Sequence, residues 1–162
     1  MAGQQPASLT WATRMLAAVV GLGALVTLLT VVLRDQLIRA WAEGRPDLRR
    51  VLRTEGLEAV KNGDVRVPAF VPVALVLFVV VAGLVWVLAA FLRGGFSWAR
   101  LALTATLFFL AVGTVAVLRT GAPVTFMVLA VLSFPLEAAA AFFLWHRDTS
   151  AYLHGTWSSR GG

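Results

Sequence analysis

Residues 124–145 read VTFMVLAVLSFPLEAAAAFFLW, an apolar run broken by one ionisable side chain, Glu137, two positions after Pro135. As a helix it is long enough to cross a hydrocarbon core of about 30 Å. Three other runs share this character, at 12–33, 69–92 and 101–118. The chain is 59% hydrophobic and 14% charged, against about 45–50% and about 25% in soluble domains. A 162-residue chain cannot bury four such blocks against one another, so lipid must solvate much of their surface. Lipid offers the backbone no hydrogen bonds, which leaves helices or a closed barrel. The runs lack the in–out alternation of barrel strands. The expected fold is an all-α integral membrane protein: one membrane domain forming a four-helix transmembrane bundle, with a short amphipathic helical loop between the first two helices.

The first run holds 19 uncharged residues from Met15 to Leu33. It exceeds the usual apolar region of a signal peptide, and Thr30, Val31, Val32 and Leu33 do not form a small-x-small cleavage site. It reads as an uncleaved helix, preceded by a short polar tail containing Pro6. Residues 34–67 form the one substantial polar segment, with eight basic and six acidic residues. Leu37, Ile38 and Trp41 recur at helical spacing, so the first helix is expected to run past the membrane surface before Gly44 breaks it. Pro46 fits the first turn of a new helix. Leu48, Val51 and Leu52 form its apolar stripe, flanked by Arg45, Arg49, Arg50 and Arg53. These four arginines are candidate contacts for lipid headgroups if the helix lies on the bilayer; a solvated helix packed on the bundle is the alternative. Gly56 is the expected stop, and Asn62-Gly63 reads as a turn.

Residues 93–100 and 119–123 are tight connections, which make consecutive spans antiparallel neighbours. Residues 146–162 read as a polar tail, with Tyr152 and Trp157 as candidate interfacial anchors. Trp11, Trp98 and Trp145 mark one end of the bundle, as an aromatic belt does. Orientation stays open. Nine basic residues on the loop side against five on the other place the loop in the cytoplasm. The loop's charge, however, is largely balanced by acids, whereas Arg93 and Arg100 stand unbalanced in a short turn.

Several function classes are excluded or disfavoured. The chain has no Cys, so no disulfide, thiolate metal site or cysteine nucleophile exists. The net charge of +6 belongs to arginines flanking membrane spans, and no nucleic-acid motif accompanies it. The two histidines, His146 and His154, lie at or beyond the end of the last span. No second acidic residue lies in any span to make a paired-carboxylate site, and the sequence has no nucleotide loop and no HExxH motif. No catalytic, cofactor or metal residue is expected.

Glu137 therefore carries the chemical interest. Protonating a glutamate of ordinary pKa at pH 7 costs about 3.7 kcal/mol. Burying an unpaired charge at a helix centre costs a similar ~2.5–3.5 kcal/mol. Both protonation states are thus accessible. Thr104, Thr106 and Ser133 are candidate hydroxyl partners, and an arginine near a helix end is a candidate ion-pair partner. Pro135 removes one backbone hydrogen bond and marks a kink or hinge, with Ser133 placed to bond a freed carbonyl. Ala17, Gly21, Gly83, Gly113 and the run 138–141 offer small-residue surfaces for close helix approach, within the bundle or between copies.

Residues 11–33, the charged amphipathic loop, FLRGGFSWAR at 91–100 and HRDTSAY at 146–152 together resemble a loose group of small four-span proteins from high-GC, actinobacterium-like genomes. That resemblance implies a bacterial membrane protein and imports no activity. The small multidrug transporters also have four helices and one membrane glutamate. Theirs lies in the first helix, and they lack a long first loop, so their function is not carried over. The leading expectation is a non-enzymatic accessory or scaffold subunit in the cell membrane, bound to lipid and to other subunits or to itself. The alternative is a small proton- or cation-coupled transporter using Glu137.

Overall fold

A computed structural model describes residues 7–63 and 65–153 of the chain. Among them every regular element is an α-helix. The spans are α1 (Ala7–Val32), α5 (Phe70–Arg93), α6 (Ser97–Arg119) and α7 (Val124–Leu144). The polar loop folds as α2 (Arg34–Glu43), α3 (Pro46–Thr54) and α4 (Leu57–Asn62), and α8 (Arg147–Leu153) follows the last span.

The four long helices form a ring in the order α1, α5, α6, α7, with α7 closing back on α1. Each turns the same kind of stripe inward. In α5 the partly or fully buried positions include Val71, Ala74, Phe78, Val81, Val85, Leu88 and Leu92, and in α7 they include Phe126, Ala130, Ser133, Glu137, Ala140 and Leu144. Steps alternating between three and four residues are those of coiled-coil-like bundle packing. Only 11–17% of each span's most apolar stretch is buried. The remainder presents Val76, Val80, Trp86, Phe108, Phe109 and Val131 outward. A surface this apolar requires lipid around it: the chain is a multi-pass membrane protein.

Burial is uneven along the bundle. Call the end carrying Trp11, Trp98 and Trp145 the belt end, and the other the loop end. Leu9, Ala12, Leu92, Ala99, Leu103, Ala140 and Leu144 are wholly inaccessible and belong to one cluster at the belt end. Toward the loop end, α5 has no fully buried residue before Val85 and α6 none after Leu107. There α1 and α7 stay closely packed while α5 and α6 bury less.

Helix boundaries correct several sequence expectations. α1 begins at Ala7 rather than beyond a tail ending at residue 10, because Ser8 and Leu9 extend its buried stripe. Pro6 lies outside the described residues. α6 begins at Ser97, so the α5–α6 turn is shorter than expected. Gly95 makes that turn possible with φ +84°, a conformation that a side chain would strain. The region after residue 145 is not simply a tail, since 147–153 form α8. Trp157 lies outside the described residues.

Within the loop, α2 continues α1 after a one-residue break at Leu33, where Leu37 N still donates to the Leu33 carbonyl at 3.1 Å. Gly44, Pro46 and Gly56 punctuate as expected, and Asn62 closes α4 rather than opening a turn. Leu48 packs with Ile38, Ala42 and Val60, joined by Trp41, Val51 and Leu52. The stripe of α3 is thus consumed inside the loop, which removes the apolar anchor that a helix lying on lipid needs. Lys61 ties the loop together, 3.0 Å from both Asp35 and Glu58. Those two carboxylates, Asp35 first, hold its ammonium above the usual lysine range.

Candidate functional site

Glu137 lies on the inward stripe of α7, one step toward the loop end from the inaccessible Ala140. Only 7% of it is exposed. Its Oε2 atom is fully enclosed and has no hydrogen-bond partner. A buried polar atom without a partner typically costs about 1–3 kcal/mol, and an ionisable group at this depth is a candidate site.

The hydroxyls expected to serve Glu137 are mostly committed elsewhere. Thr104 donates to the Arg100 carbonyl at 2.8 Å and accepts the Trp145 indole N–H at 3.0 Å. Thr106 donates to the Ala102 carbonyl at 2.9 Å. Ser133, one turn before Glu137 on the same helix, sets its Oγ beside the carboxyl but spends its proton on the Ala130 carbonyl at 2.8 Å, and lies 3.4 Å from Thr114 Oγ1 on α6. No lysine or arginine forms an ion pair with Glu137 among the described residues.

Pro135 sits in the middle of α7, which remains helical throughout, and its ring faces outward. The carbonyl deprived of its partner by a proline is the one four residues earlier, here Val131. Ser133 bonds the Ala130 carbonyl instead, so it does not repair that loss. The small residues divide between the two expected surfaces: Ala140 is buried and Ala139 and Ala141 partly buried within the bundle, whereas four others are not. Ala17, Gly21, Gly83 and Gly113 are exposed, and a Cβ added at any of those three glycines would meet nothing within 4 Å. They face away from the packing within the bundle.

The candidate headgroup arginines divide into two pairs. Arg49 Nε donates to the Glu43 carbonyl at 2.8 Å, satisfying the end of α2, and Arg45 stacks 4.7 Å over Trp41. Arg50 and Arg53 are exposed, leaving them the freer of the four to meet phosphate groups. A recess of about 270 Å³ where the loop meets α5 is lined by Arg34, Ile38, Lys61 and Phe70 among others. Asp35 and Glu58 offset Lys61 and the lining Arg34, so the recess carries no net positive charge to draw an anion.

The sequence reading missed the closure of the belt end by α8. Thr149, fully buried, pairs its hydroxyl with Ser8 Oγ at 2.8 Å and donates to the Phe143 carbonyl at 3.0 Å. Tyr152 donates to the Arg93 carbonyl at 2.9 Å, and Arg100 donates to Ser150 at 2.7 Å while lying 4.2 Å over the Trp145 ring. α8 thereby joins α1, α5 and α6 at one point. A short polar segment carries no periodic apolar signal, so this tertiary role could not be read from it.

No family model, no curated protein and no solved structure matches this chain. Among the described residues no three His, Cys, Asp or Glu side chains gather as metal ligands would.

Proposed function

We propose that this protein is a non-enzymatic accessory or scaffold subunit of a larger assembly in the cell membrane. The observation that carries the reading is the state of the interior hydroxyls. Thr27 and Thr30 donate to the Gly23 and Val26 carbonyls at 2.8 Å, and Thr114 donates to the Leu110 carbonyl at 3.0 Å. A solute path needs several polar groups facing a lumen; these are turned back onto their own helices. The outward glycines Gly21, Gly83 and Gly113 leave notches on the lipid surface where another helix could approach closely. Coupled transport is the competing reading, and Glu137 is the group that favours it.

The test is extraction of the tagged full chain in mild detergent, followed by size exclusion and mass spectrometry. The expected result is a stoichiometric membrane-protein partner whose abundance in the membrane falls when this chain is deleted. A protein that runs alone, and that moves protons across liposomes unless Glu137→Gln is introduced, would overturn the subunit role in favour of transport.

A further inference from the structure

We infer that Glu137 is a proton-binding site that exchanges its proton with water from the loop end of the bundle. This goes beyond the assembly role and does not depend on it.

The ligand follows from the donor set. A hard metal cation takes about six oxygens, but Glu137 offers one carboxyl and no second acidic residue lies on any of the four spans. A proton needs a single oxygen. Oε2 is enclosed and unpaired, so it is the atom available to take one. No other group competes for this role. The ionisable residues on elements packed against α7 are Arg14 on α1, Arg100 and Arg119 at the ends of α6, and His146, Arg147, Asp148 and Tyr152 around α8. Arg100 is engaged with Ser150 and Trp145. His146 and Asp148 lie 3.3 Å apart as a pair of their own, and none of these groups forms an ion pair with Glu137.

The direction of access follows from burial. Between Glu137 and the belt end stand side chains with no accessible surface, among them Leu16, Leu103, Ala140 and Leu144 at 0–1%. Toward the loop end the inward positions of α5 and α6 are only half-buried. Ser133 and Thr114 face each other there at 3.4 Å, with hydroxyl oxygens that can still accept hydrogen bonds from water.

Two measurements on the full-length protein in detergent test this. In the first, dicyclohexylcarbodiimide is added across the pH range. The protonated carboxyl adds to the reagent: its proton passes to a nitrogen, its oxygen bonds the central carbon, and nothing leaves before rearrangement to the stable acylurea. Labelling should map to Glu137, persist in Glu137→Asp, vanish in Glu137→Gln, and fall about tenfold per pH unit on the alkaline side of its titration. Labelling that is absent or independent of pH would overturn the proton site. In the second, Ser133→Cys and Ala140→Cys are exposed to a hydrophilic maleimide; the native chain has no Cys to interfere. Ser133→Cys should react and Ala140→Cys should not. Reaction at Ala140→Cys alone would place access at the belt end, and silence at both positions would remove the water path.

Discussion

Replacing Glu137 with leucine should make the bundle more stable. The two side chains are similar in size, and their helix propensities nearly cancel. What changes is the treatment of one enclosed oxygen. Oε2 has no partner, and relieving a buried unsatisfied acceptor is worth about 1–3 kcal/mol. If the carboxyl carries charge in the folded protein, the relief approaches the insertion penalty of about 3 kcal/mol, with roughly 0.5 kcal/mol more from the leucine itself. Little is lost in exchange, because Ser133 already donates to the Ala130 carbonyl. The expected gain is therefore about 1–3.5 kcal/mol. Reversible unfolding in bicelles, followed by steric trapping, measures it directly. Glu137→Gln should gain less, since the amide brings unpaired polar atoms of its own. If Glu137→Leu instead lost 1 kcal/mol or more, the carboxyl would have a partner, and both the orphaned oxygen and the proton site would be wrong.

Three other perturbations probe separate parts of the molecule. Thr149→Val removes the hydroxyl shared by Ser8 and the Phe143 carbonyl; it should cost about 1–3 kcal/mol and speed amide exchange at residues 7–12 and 147–153, whereas unchanged exchange would mean that α8 does not hold the belt end. Pro135→Ala restores an N–H facing the Val131 carbonyl and should stabilise α7 by about 1 kcal/mol, measured by the same bicelle unfolding; a loss of stability would show that the helix is built around the proline. Lys61 has its folded pKa raised by Asp35 and Glu58, so its contribution to the loop is fully present below the free-lysine value of about 10.4 and is lost as pH rises through the raised titration. Fluorine NMR of labelled Trp41, which packs on the loop cluster, should stay constant from pH 6 to about 10 and change above that; opening that begins below about pH 9 would count against the Lys61 tie.

The parts of this fold legible in the sequence are those governed by local rules. Apolar length placed the spans, because a bilayer fixes how many residues a helix needs to cross it. Gly44, Pro46 and Gly56 placed breaks in the loop, because backbone conformation is set residue by residue. The same reasoning failed where partners distant in the chain decide the outcome. Ser8 is ordered by Thr149, 141 positions away, and nothing within residues 1–10 foretells it. The stripe Leu48, Val51 and Leu52 was visible, but its periodicity cannot say whether lipid or Ile38 and Val60 will cover it. Arg49 looked like a headgroup contact by composition, yet its guanidinium caps the end of α2.

Glu137 illustrates both sides of this divide. Its place in an apolar span was plain, and so was its cost. Its partners could not be read, because Thr104 and Thr106 had equal claim until their hydroxyls were seen to bond their own helices. Steps of four and three from Phe126 through Ala130, Ser133, Glu137 and Ala140 set the carboxyl on the inward stripe, where lipid cannot reach it. An inward acid with no inward base cannot be explained as an ion pair that welds helices together. Nor is it tolerated through snorkelling, since a short side chain in mid-span cannot reach the headgroups. As the proton site proposed above, it would stand at the boundary between a sealed half of the bundle and a looser one. A carboxyl that exchanges its proton must have a closed side and an open side, and the change in burial of α5 and α6 at its level offers both.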